Sequence, residues 1–128
     1  MRLKTMTPDP SWAGEDEAVI ETLRRHGSDL TIRVWGGDWC KDCKALLPPF
    51  AAALEEAGID PASVDQYPVE KADDGTKIGP RVEEYGIEYI PTIVIERDGE
   101  ELVRFVESEP DGPAAYLANA LAPGAVSD

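Results

Sequence analysis

The apolar positions along the chain change period several times, and each change marks an element. LTIRVWG (30–36) is rich in β-branched and aromatic residues and reads as a strand that Gly36 and Gly37 break. Upstream, Val19, Ile20 and Leu23 form the apolar face of a helix over about Glu15–His26. Asp16 and Glu17 lie at its positive start, Arg24, Arg25 and His26 at its negative end, and Gly27 fits the C′ position. Downstream, Leu46, Leu47, Phe50, Ala53 and Leu54 recur at helical spacing, which predicts a helix from near Cys40 that Gly58 ends. Pro48 and Pro49 fall inside it, each removing a backbone donor and crowding the preceding turn, so a kink is expected there.

In the second half, ASVDQYPVEK (62–71) supports a strand weakened by Pro68, DDGTKIGP (73–80) a loop, and RVEEYG (81–86) a short helix. YIPTIVIE (89–96) is the clearest strand. Asp98-Gly99 supplies a hairpin turn, and ELVRFVE (101–107) alternates as the returning strand. DGPAAYLANALA (111–122) has Pro113 in a first helical turn and reads as a terminal helix. The order is helix, strand, helix, strand, helix, strand, strand, helix. Parallel βαβ units followed by an antiparallel hairpin and a helix make an α/β sandwich around a mixed central sheet. Residues 15–122 are read as one domain, preceded by an irregular arm (1–14) and followed by a tail (123–128).

Composition narrows the functions. The chain of 128 residues carries 26 acids against 12 bases, a net charge of −14. Such a surface repels phosphate backbones and anionic lipid heads, so neither nucleic acid nor membrane is an expected partner. Only five of the bases are lysine, a balance that suits a high-salt cytoplasm. No stretch approaches the roughly 20 apolar residues of a membrane span, and the N-terminus lacks an apolar signal core. A cytoplasmic monomer is the expectation.

The two cysteines, Cys40 and Cys43, stand three positions apart in GGDWCKDCKALLPPF (36–50). A zinc site needs about four ligands, and the chain adds only His26, on a different helix, so no metal site is expected. A purely structural disulfide across three residues closes a very small loop and stabilises little. A degenerate, unreactive pair is a further possibility. A reactive pair fits the position best. Cys40 falls where a strand passes into a helix, and the free amides of a helix start favour the thiolate, which is the nucleophile. Cys43 lies one turn on, close enough to close a disulfide back onto Cys40. One attacking and one resolving thiol are what thiol–disulfide exchange requires.

These residues resemble the thioredoxin family. WCKDC (39–43) is similar to the family's W-C-x-x-C, Lys44 follows as it often does there, Pro48 falls where the active-site helix is kinked, and GIEYIPTIVIERDGE (86–100) is similar to the stretch that enters a cis-proline, a strand and a tight turn. The resemblance, over about residues 15–122, implies a thioredoxin-like fold and a protein-disulfide reductase, with the Cys40–Cys43 disulfide as its redox centre and no other cofactor. It implies a cis Ile90–Pro91 bond beside Cys40, with Ile90, Pro91 and Thr92 binding substrate backbone. Trp39 would shield the reactive sulfur. Protein disulfides would be the substrates, and a thioredoxin reductase or another dithiol donor the electron source.

Two departures from the family pattern stand out. Val34 occupies the position, six residues before the first cysteine, where the family usually has a buried proton-handling aspartate; Asp42 and Asp38 are the nearest candidates to replace it. Lys41-Asp42 replaces the usual Gly-Pro. Lys41 favours a nearby thiolate and Asp42 disfavours it. Aspartate before the second cysteine is similar to a group of cytosolic disulfide reductases with a W-C-P-D-C motif. The vacant acid position also admits a different reading, a non-catalytic binding or adaptor module or a client-specific redox sensor on the same fold.

Overall fold

The computed structural model describes residues 6–7, 17–26, 30–106 and 116–118. The expected tail, most of the arm, residues 15–16 of the first helix with Gly27, and most of the terminal helix lie outside the described residues. Within them, α1 spans Glu17–His26, β1 Leu30–Gly36, α2 Lys41–Glu56, β2 Val64–Pro68, β3 Glu70–Lys71, β4 Lys77–Ile78, α3 Val82–Tyr85, β5 Thr92–Arg97 and β6 Glu100–Val106. A single 3₁₀ turn, Pro61–Ser63, precedes β2. Tyr116, Leu117 and Ala118 are helical.

The main sheet has the order β2-β1-β5-β6. Strand β1 pairs parallel with β2 and antiparallel with β5, and β5 pairs antiparallel with β6, so the sheet is mixed. The β5–β6 turn has positive φ at both Asp98 (53°) and Gly99 (82°). That is the type I′ signature, whose twist matches that of the flanking strands.

Two expected boundaries move. The strand expected over 62–71 divides: β2 stops at Pro68, and Glu70–Lys71 pairs instead with Lys77–Ile78 as a separate two-stranded sheet. The segment 73–80 is therefore a hairpin arm rather than only a loop. Proline cannot donate to a ladder, which ends β2 there. The strand expected from Tyr89 begins at Thr92, after Pro91. Helix α2 runs unbroken through Pro48 and Pro49.

Alternation assigns the two faces of the sheet. Leu30, Ile32, Val34, Ile93, Ile95 and Phe105 lie on one face and are buried in the same apolar cluster as Leu23, Leu47, Phe50 and Leu54 of the helices. Phe105 meets Tyr116 edge-on, with ring centroids 5.6 Å apart. The other face is aromatic and charged. Trp35, fully buried, stacks on Tyr67 at 4.7 Å and touches Tyr85 of α3 at 4.8 Å. Its indole N–H donates to Pro80 O at 2.9 Å.

Beside Trp35, Arg33 of β1 and Glu96 of β5 form an ion pair at 2.9 Å, with side chains only 16% and 8% exposed. Arg33 also donates to Tyr67 Oη and Asp65, and Tyr85 Oη donates to Glu96. The two least exposed charges, Arg33 and Glu96, each have more than one partner, which is the condition under which burying charge is tolerated.

The network generates a stability prediction. Burial pushes the Glu96 carboxyl up, but the Tyr85 hydroxyl and the Arg33 guanidinium outweigh it and hold it below the usual range. A depressed folded-state value gives stability that is fully present above the unfolded value, about 4.3, and lost as pH falls through the folded value. Glu96→Gln should therefore destabilise strongly at pH 7 and much less at pH 3, measured by denaturant unfolding. Equal costs at both would show that the charge is not what matters. Arg33→Met, which strands the carboxylate, should cost about 3 kcal/mol at pH 7.

Candidate functional site

The site forms where β1 runs out. Gly36 ends the strand, Cys40 N donates to Gly37 O at 3.0 Å to close a turn, and Cys40 becomes the N-cap of α2 with φ −85° and ψ 124°. Its Sγ accepts the Cys43 N–H at 3.4 Å. A cap normally uses a side-chain oxygen to satisfy an orphan amide of the first turn; here the acceptor is sulfur.

Both thiols are free. Cys40 keeps 8% exposure and Cys43 has none, so an incoming group can reach only Cys40. The Cys40 thiol also approaches Ile90 O at 3.8 Å, across fifty positions of sequence. The Ile90–Pro91 peptide is cis. Ile90, Pro91 and Thr92 are all buried, and Thr92 Oγ1 donates back to Tyr89 O at 2.5 Å, fastening this loop to the start of β5. The structure thus brings Cys40, Cys43 and Ile90 together.

Cys43 sits behind the pair. Burial pushes its thiol well up, and the Gly37 N–H, which donates to its Sγ at 3.4 Å, only partly offsets this. The hydrogen bond and charge of Cys40 and the charge of Asp42 push the same way as burial. Val34 is fully buried, an apolar side chain where a proton-handling acid was expected to be missing. Lys41 and Asp42 are both exposed on the first turn of α2 and do not pair with each other. Adjacent helix positions point apart, so their charges act separately. Among the described residues, no cluster of three or more His, Cys, Asp or Glu could hold a metal ion.

Trp39 is 43% exposed and donates its indole N–H to Val69 O at 2.8 Å. Its ring lies over Gly37, where a Cβ would come within 2.6 Å of Trp39 Nε1. Val69 N in turn donates to Gly36 O at 2.8 Å. Sequence reasoning took Gly37 only as a strand breaker and did not assign Val69. The Gly36-Gly37 doublet before a tryptophan was the available signal for a close approach; nothing in sequence marks the Val69 carbonyl.

The family model for thioredoxin covers residues 16–119. The chain belongs to the thioredoxin family. Among solved structures, this thioredoxin-family chain is similar to mitochondrial thioredoxin 3 from Saccharomyces cerevisiae, at 17% identity over 79% of this chain and 83% of that one, with TM-score 0.52. It is similar to a Pseudomonas aeruginosa protein of unknown function, at 24% identity over 84% and 64%, TM-score 0.52. A thioredoxin mutant from Halobacterium salinarum also aligns, at 21% identity over 84% and 82%, TM-score 0.47. A search of the curated proteins finds no match. Family and cysteine pair together support a thiol–disulfide oxidoreductase in general. Among the described residues, no helix of this thioredoxin-family chain is long and apolar enough to cross a membrane.

Two outcomes test the local geometry. Gly37→Ala should push the Trp39 ring aside, shift its indole N–H resonance and cost about 1 kcal/mol as the bond to Val69 is lost; an unmoved resonance would show that the ring has room. Asp42→Asn removes one of the influences holding the Cys43 proton, so the Cys43 thiol should titrate at lower pH in an NMR titration. An unchanged titration would remove Asp42 from the proton chemistry.

Proposed function

We propose that this protein is a cytoplasmic protein-disulfide reductase in which Cys40 attacks and Cys43 resolves. The observation that carries the reading is the asymmetry of the pair: Cys40 is the reachable N-cap sulfur, whereas Cys43 is fully buried and held protonated. The Cys40 thiolate attacks a substrate disulfide, forms a mixed disulfide and releases one substrate thiolate. Cys43, after losing its proton, attacks Cys40 Sγ, releases the second substrate thiol and leaves the Cys40–Cys43 disulfide. Two electrons and two protons pass to the substrate, and a dithiol donor, such as a thioredoxin reductase, restores the pair.

Supporting roles follow from placement. Ile90 O lies 3.8 Å from the Cys40 sulfur, and the Ile90–Pro91–Thr92 segment would offer backbone groups to an extended substrate, in the manner of strand addition. Trp39, next to Cys40 in sequence and 43% exposed, would shield the reactive sulfur. A reducing compartment suits two free, close thiols. The buried, apolar Val34, at the position where the family usually has a proton-handling acid, favours a second reading, a binding module on the same fold.

One pair of variants separates the two. Cys40→Ser should abolish turnover of a protein disulfide with dithiothreitol as donor, and Cys43→Ser should accumulate a covalent mixed disulfide. Full activity in Cys40→Ser would overturn the reductase; a partner bound equally well after both cysteines become alanine would support the module. Direction is read from the equilibrium potential against glutathione: about −270 mV fits a reductase, about −120 mV an oxidase.

A further inference from the structure

The bases of this chain divide by type. All five ion pairs among the described residues use arginine. The four described lysines, Lys41, Lys44, Lys71 and Lys77, have no carboxylate partner within 4.0 Å among the described residues. They occupy two places only: the first turn of α2 and the β3–β4 hairpin. The segments 38–44 and 70–78 hold these four lysines and five acids, a balance of −1, which leaves −13 of the −14 on the rest of the chain.

The hairpin adds a sharper observation. Lys71 and Lys77 stand directly opposite each other in the antiparallel pair, on one face, while Glu70 opposes Ile78 on the other. Like charges directly opposite are destabilising in a ladder. Exchanging the partners would have paired each lysine with a neutral or acidic residue. Among the described residues the Lys77 ammonium meets only the Gly75 carbonyl, at 3.4 Å, and Lys71 is exposed. The hairpin is tied to the redox centre: Lys71 follows by two residues the carbonyl that accepts the Trp39 indole, and Trp39 precedes Cys40. Ile78, 55% exposed, gives the same arm an apolar contact.

We propose that the β3–β4 hairpin is a substrate-selecting arm, on which Lys71 and Lys77 receive a carboxylate side chain carried by the substrate close to its reacting cysteine. The proposal rests on the disulfide-reductase reading and names the class of substrate it favours. A bound carboxylate places an opposite charge between two ammonium groups that otherwise repel, so the pairing is stronger than an ordinary exposed ion pair. Arginine could not be substituted without loss of adaptability, since two flexible ammonium groups can close on one carboxylate from either side.

The test uses two peptide disulfides of identical composition and net charge, one with glutamate flanking the cysteine and lysine distant, the other with the two exchanged. Equal net charge removes the effect of the −14 surface. The wild-type protein should show kcat/KM about fivefold higher for the flanking-glutamate peptide at low salt. The ratio should fall toward one at 1 M salt, where the screening length is about 3 Å. In Lys71→Ala/Lys77→Ala the ratio should be close to one; because both peptides are measured on the same variant, any general loss of activity cancels. A wild-type ratio near one, or a ratio that survives in the double variant, overturns the proposal while leaving the reductase intact. Failure to reduce either peptide or an uncharged small disulfide overturns the reductase reading, and this proposal with it.

Discussion

The antiparallel register of β1 against β5 is the constraint on which the site depends. Pairing Trp35 with Thr92 sets the outgoing end of one strand beside the incoming end of the other. The chain leaving β1 through Gly36 must then pass next to the chain entering β5 through Pro91. Cys40 and Ile90, remote in sequence, meet for that reason. A slip of one residue would turn the buried Ile32, Val34, Ile93 and Ile95 toward the charged face and separate the thiol from the loop. The apolar core, of which both cysteines are part, therefore holds the pair in place.

The Arg33–Glu96 pair works on the same register from the other face. It joins β1 to β5, and Tyr85 ties both to α3. Because a buried carboxylate tolerates little misalignment with its partners, the pair disfavours other registers as well as adding stability to this one. Trp35 extends the brace toward β2 through its stack on Tyr67, and toward the segment before α3 through Pro80 O.

Much of this was legible in the sequence where a local signal and a tertiary requirement coincide. LTIRVWG is a strand by composition and is also central in the sheet, and Asp98-Gly99 encodes its own turn. The cysteine spacing and the N-cap position are local, so the placement of the pair at a helix start could be read directly. What could not be read depends on partners distant along the chain. Arg33 and Glu96 are single charges in apolar strands, and only the strand order makes them neighbours. The β3–β4 arm has two-residue strands, too short to show a period. Val69 takes part through its carbonyl, and a backbone atom leaves no trace in residue type. The start of β5 was placed three residues early because apolar character continues through Tyr89-Ile90, whereas the absence of an N–H on Pro91 limits where the ladder can begin.

The outer strand β6 has a further consequence. Its pairing with β5 is interrupted by a register shift between Ile95 and Glu96, and its first turns of ladder carry Glu100 and Glu101, exposed, followed by Arg104. A bulged, charged rim is a poor template for a foreign strand. On this side of the sheet, away from the cysteines, the rim therefore disfavours strand-to-strand association with another chain.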